Sequence, residues 1–365
     1  METSLILGFG FVVLGAICGG SYALPSKFAK DTPWENLWGP FFFFVTLIIP
    51  TVFGPLVVHD ILATWSAVGP GVLIWPILFG FLWGFGSMTF GLSFGMIGLS
   101  LAYAINSGVQ TAFGSMLPLV IKKYANTPGG CVIILGILTC IVGIVICGYA
   151  GALKSRTAEK EPEAQGQAAA KTKKPKFIVG MVVAIASGIL CACCNLAFDF
   201  GGEIMRVSRE TFHNPGWAST FAVWILVFWG GSVSSCLYCV TRLFRNRTWG
   251  NFTKPGIGRV LLLAAIMSVL HDGAVFLYGL GAYYLGVLGT SVGWAAFMSC
   301  TLIVGNVHGF VTKEWKGASR KSVSWIIAGI AVLVCAMCVL GKGNSMLPKP
   351  APEKPPAAAQ PASLK

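Results

Sequence analysis

At 365 residues, 55% hydrophobic and 11% charged with a mean hydropathy of +0.75, the chain is too apolar from end to end for a water-soluble domain; it reads as an all-α polytopic membrane protein. Its net charge of +13 lies in loops between the apolar runs, which suits orientation in a bilayer and argues against nucleic-acid binding. Twelve cysteines sit in or beside those runs, without the loop placement of a secreted disulfide framework, and read as small packing residues.

Runs of about twenty apolar residues predict ten spans, at 4–23, 34–59, 71–95, 99–121, 131–151, 177–200, 216–241, 259–283, 287–312 and 323–341. The first lacks a preceding basic stretch and a following small-residue cleavage site, so it is expected to be retained rather than removed as a signal peptide. Spans three and four meet at a short turn, Ile97 to Leu99, and spans eight and nine at Leu285 to Val287; both pairs should be antiparallel hairpins. The stretch 152–176 is charged and has nothing to bury, and is expected to be a flexible linker. The Pro/Ala-rich tail, 342–365, should be disordered. Of the 26 Lys and Arg, 17 fall in loops on the linker's side and 8 on the other. The linker is therefore expected in the cytoplasm and both termini outside it, in the periplasm.

The five spans before the linker echo the five after it. Phe90-Gly91-Leu92 with Gly98 recurs as Tyr278-Gly279-Leu280 with Gly286, and Gly15 with Cys18 recurs as Gly188 with Cys191. An odd number of spans per half makes the halves insert in opposite senses, so two inverted five-helix repeats are expected, 1–151 and 177–341. Such repeats place a solute at their interface near mid-membrane. Glycines four apart, Gly80 with Gly84 and Gly91 with Gly95, would allow close helix approach.

The polar residues inside the spans suggest what crosses. Tyr103, Asn106, Ser107 and Gln110 share a face of the fourth span, a row of uncharged donors and acceptors that fits a polar, uncharged solute or bonds neighbouring helices. Of thirteen carboxylates, only Asp199 and Asp272 lie within or at the inner margin of a span. Asp272 falls near mid-membrane, where carrying a charge costs at least ~2.5–3.5 kcal/mol, so it is the candidate proton-coupling group with its neighbour His271 as a possible relay. Asn195 and Asp199, four apart on the sixth span, could bind hydroxyls or gate the outer mouth. Glu35 is expected to pair with Lys27 or Lys30, and His308 to be a packing histidine. Trp83, Tyr103 and Trp294 are candidate platforms for the C–H faces of a sugar. Cys191, Cys193 and Cys194, and the pairs Cys236/Cys239 and Cys335/Cys338, imitate metal spacings without histidines nearby, so no metal is expected. No phosphate loop with a lysine, nucleophile elbow or zinc-protease helix is present, and neither a cofactor nor an enzyme activity is expected.

Pro25 to Lys27, Trp34-Glu35, the stretch WGFGSMTFGLSFGMIGLSLA from Trp83, and Lys313 to Trp315 together resemble the bacterial L-rhamnose/proton symporter family of the drug/metabolite transporter superfamily. The resemblance covers all ten spans and implies a secondary transporter of the inner membrane that takes up a neutral monosaccharide with a proton. The linker and tail depart from the pattern, and the polar residues of spans six and eight match no family motif, which leaves the sugar open. Export of a metabolite or drug, and a membrane-embedded sensor that moves no solute, remain the alternatives.

Overall fold

The structure, a computed structural model, describes residues 2–29, 32–97, 99–163, 174–313 and 315–347. Among them are ten helices long and apolar enough to cross a membrane, and no strand. They are α1 (Glu2–Ser21), α2 (34–57), α3 (Pro70–Ile97), α4 (Leu99–Ile121), α5 (Pro128–Glu163), α6 (Lys174–Phe200), α7 (Phe221–Arg245), α8 (Ile257–Leu285), α9 (Gly289–Val311) and α10 (Arg320–Ser345). Helices are what hydrocarbon allows, because they satisfy their own backbone polar groups.

Each predicted span coincides with one of these helices, and the differences lie at the ends. α5 runs on to Glu163 and α6 begins at Lys174, so helix occupies part of the stretch expected to be linker. Residues 152–163 include Ala, Lys and Glu, good helix formers that extend an existing helix cheaply because its nucleus is already made. Residues 164–173, at the middle of the linker, lie outside the described residues, as do Gly98 and most of the tail. α2 is broken in register: Pro50 and Pro55 lack an N–H to donate, and the ladder widens to a π turn over Phe44–Ile48. At the α8–α9 hairpin Gly286 takes a φ of 82°, a left-handed conformation that favours glycine.

Helix packing follows a pattern. α1 lies on α8 and α9, α6 lies on α3 and α4, α2 touches α8, α7 touches α3, and α5 pairs with α10. Exchanging each helix for the one five places along the chain maps these pairs onto one another. The α3–α7 contact is backbone against backbone: a Cβ on Gly80 would sit 2.0 Å from the Val227 carbonyl oxygen, and one on Gly230 2.0 Å from that of Ile77. Gly84 likewise faces Gly231 and Ser234, whereas Gly91 has nothing within 4 Å and supports no close approach. The outer surface is studded with large apolar side chains such as Ile6, Leu56, Leu62 and Val182, as a lipid-facing surface requires.

Candidate functional site

The site is built where α1, α2, α3, α7 and α8 converge. α8 brings His271 and Asp272 there, halfway along a helix that continues for about 20 Å on either side at 1.5 Å per residue. The His271 ring is boxed by aromatic rings from four other segments. Tyr22, just after α1, meets it edge-on at 5.3 Å between centroids. Phe41 of α2 lies at 5.7 Å, Trp83 of α3 at 5.9 Å and Phe228 of α7 at 6.1 Å. Yet the imidazole is not sealed in, since 17% of its side chain is exposed. Asp272 is 1% exposed. Its Oδ1 has a long contact of 3.4 Å with His271 Nδ1, and its Oδ2 has no partner among the described residues. A buried carboxyl oxygen without a donor is expensive unless it carries a proton or takes a ligand.

Tyr103 of α4 borders the same region. It lies beside Phe90 of α3 at 5.7 Å between ring centroids. The wall behind it is a polar seam between α4, α6 and α3. Asn106 Nδ2 donates to Ser187 Oγ at 2.7 Å while Asn106 Oδ1 accepts from Gln110 Nε2, and Ser187 Oγ donates to the Gly86 carbonyl at 2.9 Å. Asn106 is fully buried and engaged at both ends of its amide, and Gln110 is partly exposed.

A second polar node lies nearer the α8–α9 hairpin. Asn195 Nδ2 donates to the carbonyls of Gly114 and Thr290 at 2.8 and 2.9 Å, and its Oδ1 accepts from the Tyr278 hydroxyl. Trp294 packs on Tyr278 and donates from Nε1 to the Gln110 carbonyl at 3.1 Å. Four residues on from Asn195, Asp199 accepts from Lys122 Nζ at 2.5 Å and from Thr290 Oγ1 at 2.6 Å. Lys122 also reaches the Val287 carbonyl at 3.0 Å. This network ties the ends of α4 and α6 to the hairpin between α8 and α9.

The opposite end of the bundle is bridged as well. Glu35 is buried and accepts from Asn246 Nδ2 at 2.8 Å and Thr248 Oγ1 at 2.9 Å. Of its expected lysine partners, Lys27 extends its Nζ to Thr312 Oγ1 at 3.4 Å, and Lys30 lies outside the described residues. The carboxylate is met instead by the loop that follows α7, which folds over the start of α2. Ser21 Oγ bonds His308 Nε2 at 2.8 Å, giving that histidine a partner on α1.

The sequence candidates thus divide among three places. His271, Asp272, Trp83 and Tyr103 gather in or beside the central box, Asn106 and Gln110 belong to the polar seam of α4, and Asn195, Asp199 and Trp294 belong to the node near the α8–α9 hairpin. Tyr22, Phe41, Phe228 and Lys122 escaped sequence reasoning. Lys122 left a usable signal, because it and Asp199 both fall at span ends assigned to the same side of the membrane.

A family model described as L-rhamnose-proton symport protein (RhaT) matches residues 1–346. The chain belongs to this family. It is a family of membrane transporters, not of enzymes. An L-rhamnose-proton symporter of Pectobacterium atrosepticum is 25% identical over 355 residues, covering 95% of this chain and 100% of the relative. One from Yersinia pestis strain Pestoides F is 25% identical over 352 residues, covering 94% and 99%. A solved crystal structure without a functional description superposes on 93% of this chain and 96% of its own at a TM-score of 0.47 and 13% identity, too loosely to bear on function. The box around His271 and Asp272 sets a buried carboxyl group beside aromatic rings from four segments.

Proposed function

We propose that this chain is a secondary transporter that carries a neutral monosaccharide, L-rhamnose or a related sugar, inward across the bacterial inner membrane together with a proton. The observation that carries the reading is Asp272: a carboxyl group at mid-span, almost wholly buried, with one oxygen unpartnered, beside a box of aromatic faces. Protonation at Oδ2 would neutralise it. The C–H faces of the sugar would then stack on Trp83 and Tyr22 while hydroxyls reach Tyr103, Gln110 and Asp272. Trp294, Asn195, Asp199 and Asn106 act around this space, holding its walls and its outer end.

The two halves, 1–151 and 177–341, serve as inverted repeats on this reading. The exchange symmetry of the helix pairs supports it, and so does the repeat register: laying Tyr278-Gly279-Leu280 on Phe90-Gly91-Leu92 also lays His271 on Trp83 and Asp272 on Gly84. The two rings that meet at 5.9 Å are then counterparts, each half offering one to the shared centre. Rocking of the halves would open the Lys122–Asp199 end and the Glu35 end in turn, the former outward by the distribution of loop charge. One charge moved across 100 mV supplies ~2.3 kcal/mol, enough for roughly fiftyfold accumulation.

The test is the external pH of lightly buffered, de-energised cells that express the protein, on addition of L-rhamnose and then of other sugars. Alkalinisation by one sugar, absent in Asp272→Asn, is expected and names the solute. No pH change with any sugar, in cells shown to hold the folded protein, would overturn symport, and unchanged alkalinisation in Asp272→Asn would remove Asp272 from the coupling.

A further inference from the structure

A cavity of about 480 Å³ opens at the end of the bundle where α2 and α8 both begin. It is unlike the central box in every respect. Its polar side carries two cations, Lys254 and Arg259, both exposed and neither in an ion pair nor a side-chain hydrogen bond among the described residues. The buried carboxylate close by, Glu35, accepts from Asn246 and Thr248 and forms no ion pair with either cation among the described residues. The floor is rigid: Asn251 Nδ2 donates to Asn36 Oδ1 at 3.0 Å, and Asn36 Nδ2 donates to the Thr248 carbonyl at 3.1 Å. The remaining wall is apolar, made by Phe28, Val260 and Leu263. Phe28 is 59% exposed, and beside this wall α8 presents Leu262 and then Ile266 on its outer, lipid-facing surface.

Two cations with no ion-pair partner among the described residues, beside an apolar wall and at the depth where two spanning helices start, suit an anion that brings hydrocarbon with it. A neutral sugar satisfies neither cation, and a free anion leaves the wall bare. We infer that this cavity binds the phosphate of an anionic phospholipid, Lys254 and Arg259 holding the headgroup while the acyl chains run down α8. The site is independent of the central box and of what the protein carries. A phospholipid seated between the start of α2 and the start of α8 would brace the two helices that supply Phe41 and His271.

The experiment uses the full-length protein, purified and delipidated in detergent, with phosphatidylglycerol, phosphatidylcholine and inorganic phosphate as separate probes. Thermal unfolding and native mass spectrometry are the readouts. Phosphatidylglycerol is expected to raise the unfolding temperature by several degrees and to remain as a bound adduct, with little effect from the other two. K254Q and R259Q, singly and together, should lower adduct occupancy at least fivefold, and R320Q/K321Q, which removes an exposed basic pair away from the cavity, should not. All four variants change exposed side chains, and the untreated unfolding temperature checks that each is folded. Undiminished phosphatidylglycerol adducts in K254Q/R259Q would overturn the site. Equal stabilisation by inorganic phosphate would overturn the lipid as its occupant, and equal stabilisation by phosphatidylcholine would overturn the role of charge.

Discussion

The Lys122–Asp199 pair offers a test of whether the α8–α9 hairpin end of the bundle is fastened by charge. The side chains are 29% and 8% exposed, so the carboxylate is the more deeply held partner. At 2.5 Å and an effective dielectric constant of about 20, the gross attraction is about 7 kcal/mol, most of it offset by desolvating both groups. Lys122→Met leaves Asp199 buried with only Thr290 Oγ1 to donate to it, and should cost about 3 kcal/mol. Asp199→Asn leaves the more exposed lysine with the Val287 carbonyl and Thr290, and should cost about 2 kcal/mol. The double variant removes both charges and should recover part of the loss, giving a coupling energy of about 2 kcal/mol. SDS-unfolding titrations of the four proteins in mixed micelles measure the cycle. A coupling below about 0.5 kcal/mol, or an Asp199 variant clearly weaker than the Lys122 variant, would refute the reasoning that burial of the carboxylate sets the cost.

Glycine at 80 is required by contact and glycine at 91 is not: Gly80→Ala must drive α3 and α7 apart by more than an ångström and should abolish most folded protein in a size-exclusion profile, while Gly91→Ala should leave it unchanged or slightly higher. Asn195→Ala strands the Tyr278 hydroxyl and the Gly114 and Thr290 carbonyls, and should destabilise by at least about 3 kcal/mol in the same unfolding titration, against about 1 kcal/mol for Tyr278→Phe. Trp294→Phe keeps a ring edge-to-face with Tyr278 but loses the bond to the Gln110 carbonyl, for about 1 kcal/mol.

The spans were legible in the chain because the bilayer fixes both length and composition of what crosses it. The apolar run at 99–121 is a helix over those same residues, and the expected turn at Leu285 to Val287 falls where α8 ends at Gly286. Asp272 stood out for the same reason, since a carboxylate so far from either end of an apolar run has few explanations. The end of α5 was not legible: the residues after 151 are polar, and polarity marks where a helix leaves the membrane, not where it stops.

Which polar side chains bond one another, and across which helices, was decided by tertiary structure alone. Helical spacing put Asn106 and Gln110 on one face of α4 and Asn195 and Asp199 on one face of α6, but a face does not say what lies across from it. Packing gave Asn195 three partners on three helices and gave Asp199 the lysine at the end of α4. Of the rings around His271 only Trp83 was among the sequence candidates; Tyr22, Phe41 and Phe228 could not be picked from 25 phenylalanines, 12 tryptophans and 8 tyrosines, because nothing local distinguishes a ring that faces lipid from one that faces the centre. The sequence by itself determined what must lie in the membrane, through the cost of burying polar groups in hydrocarbon; the convergence of five segments determined where His271 and Asp272 find their surroundings, through contacts between residues up to some 250 positions apart in the chain.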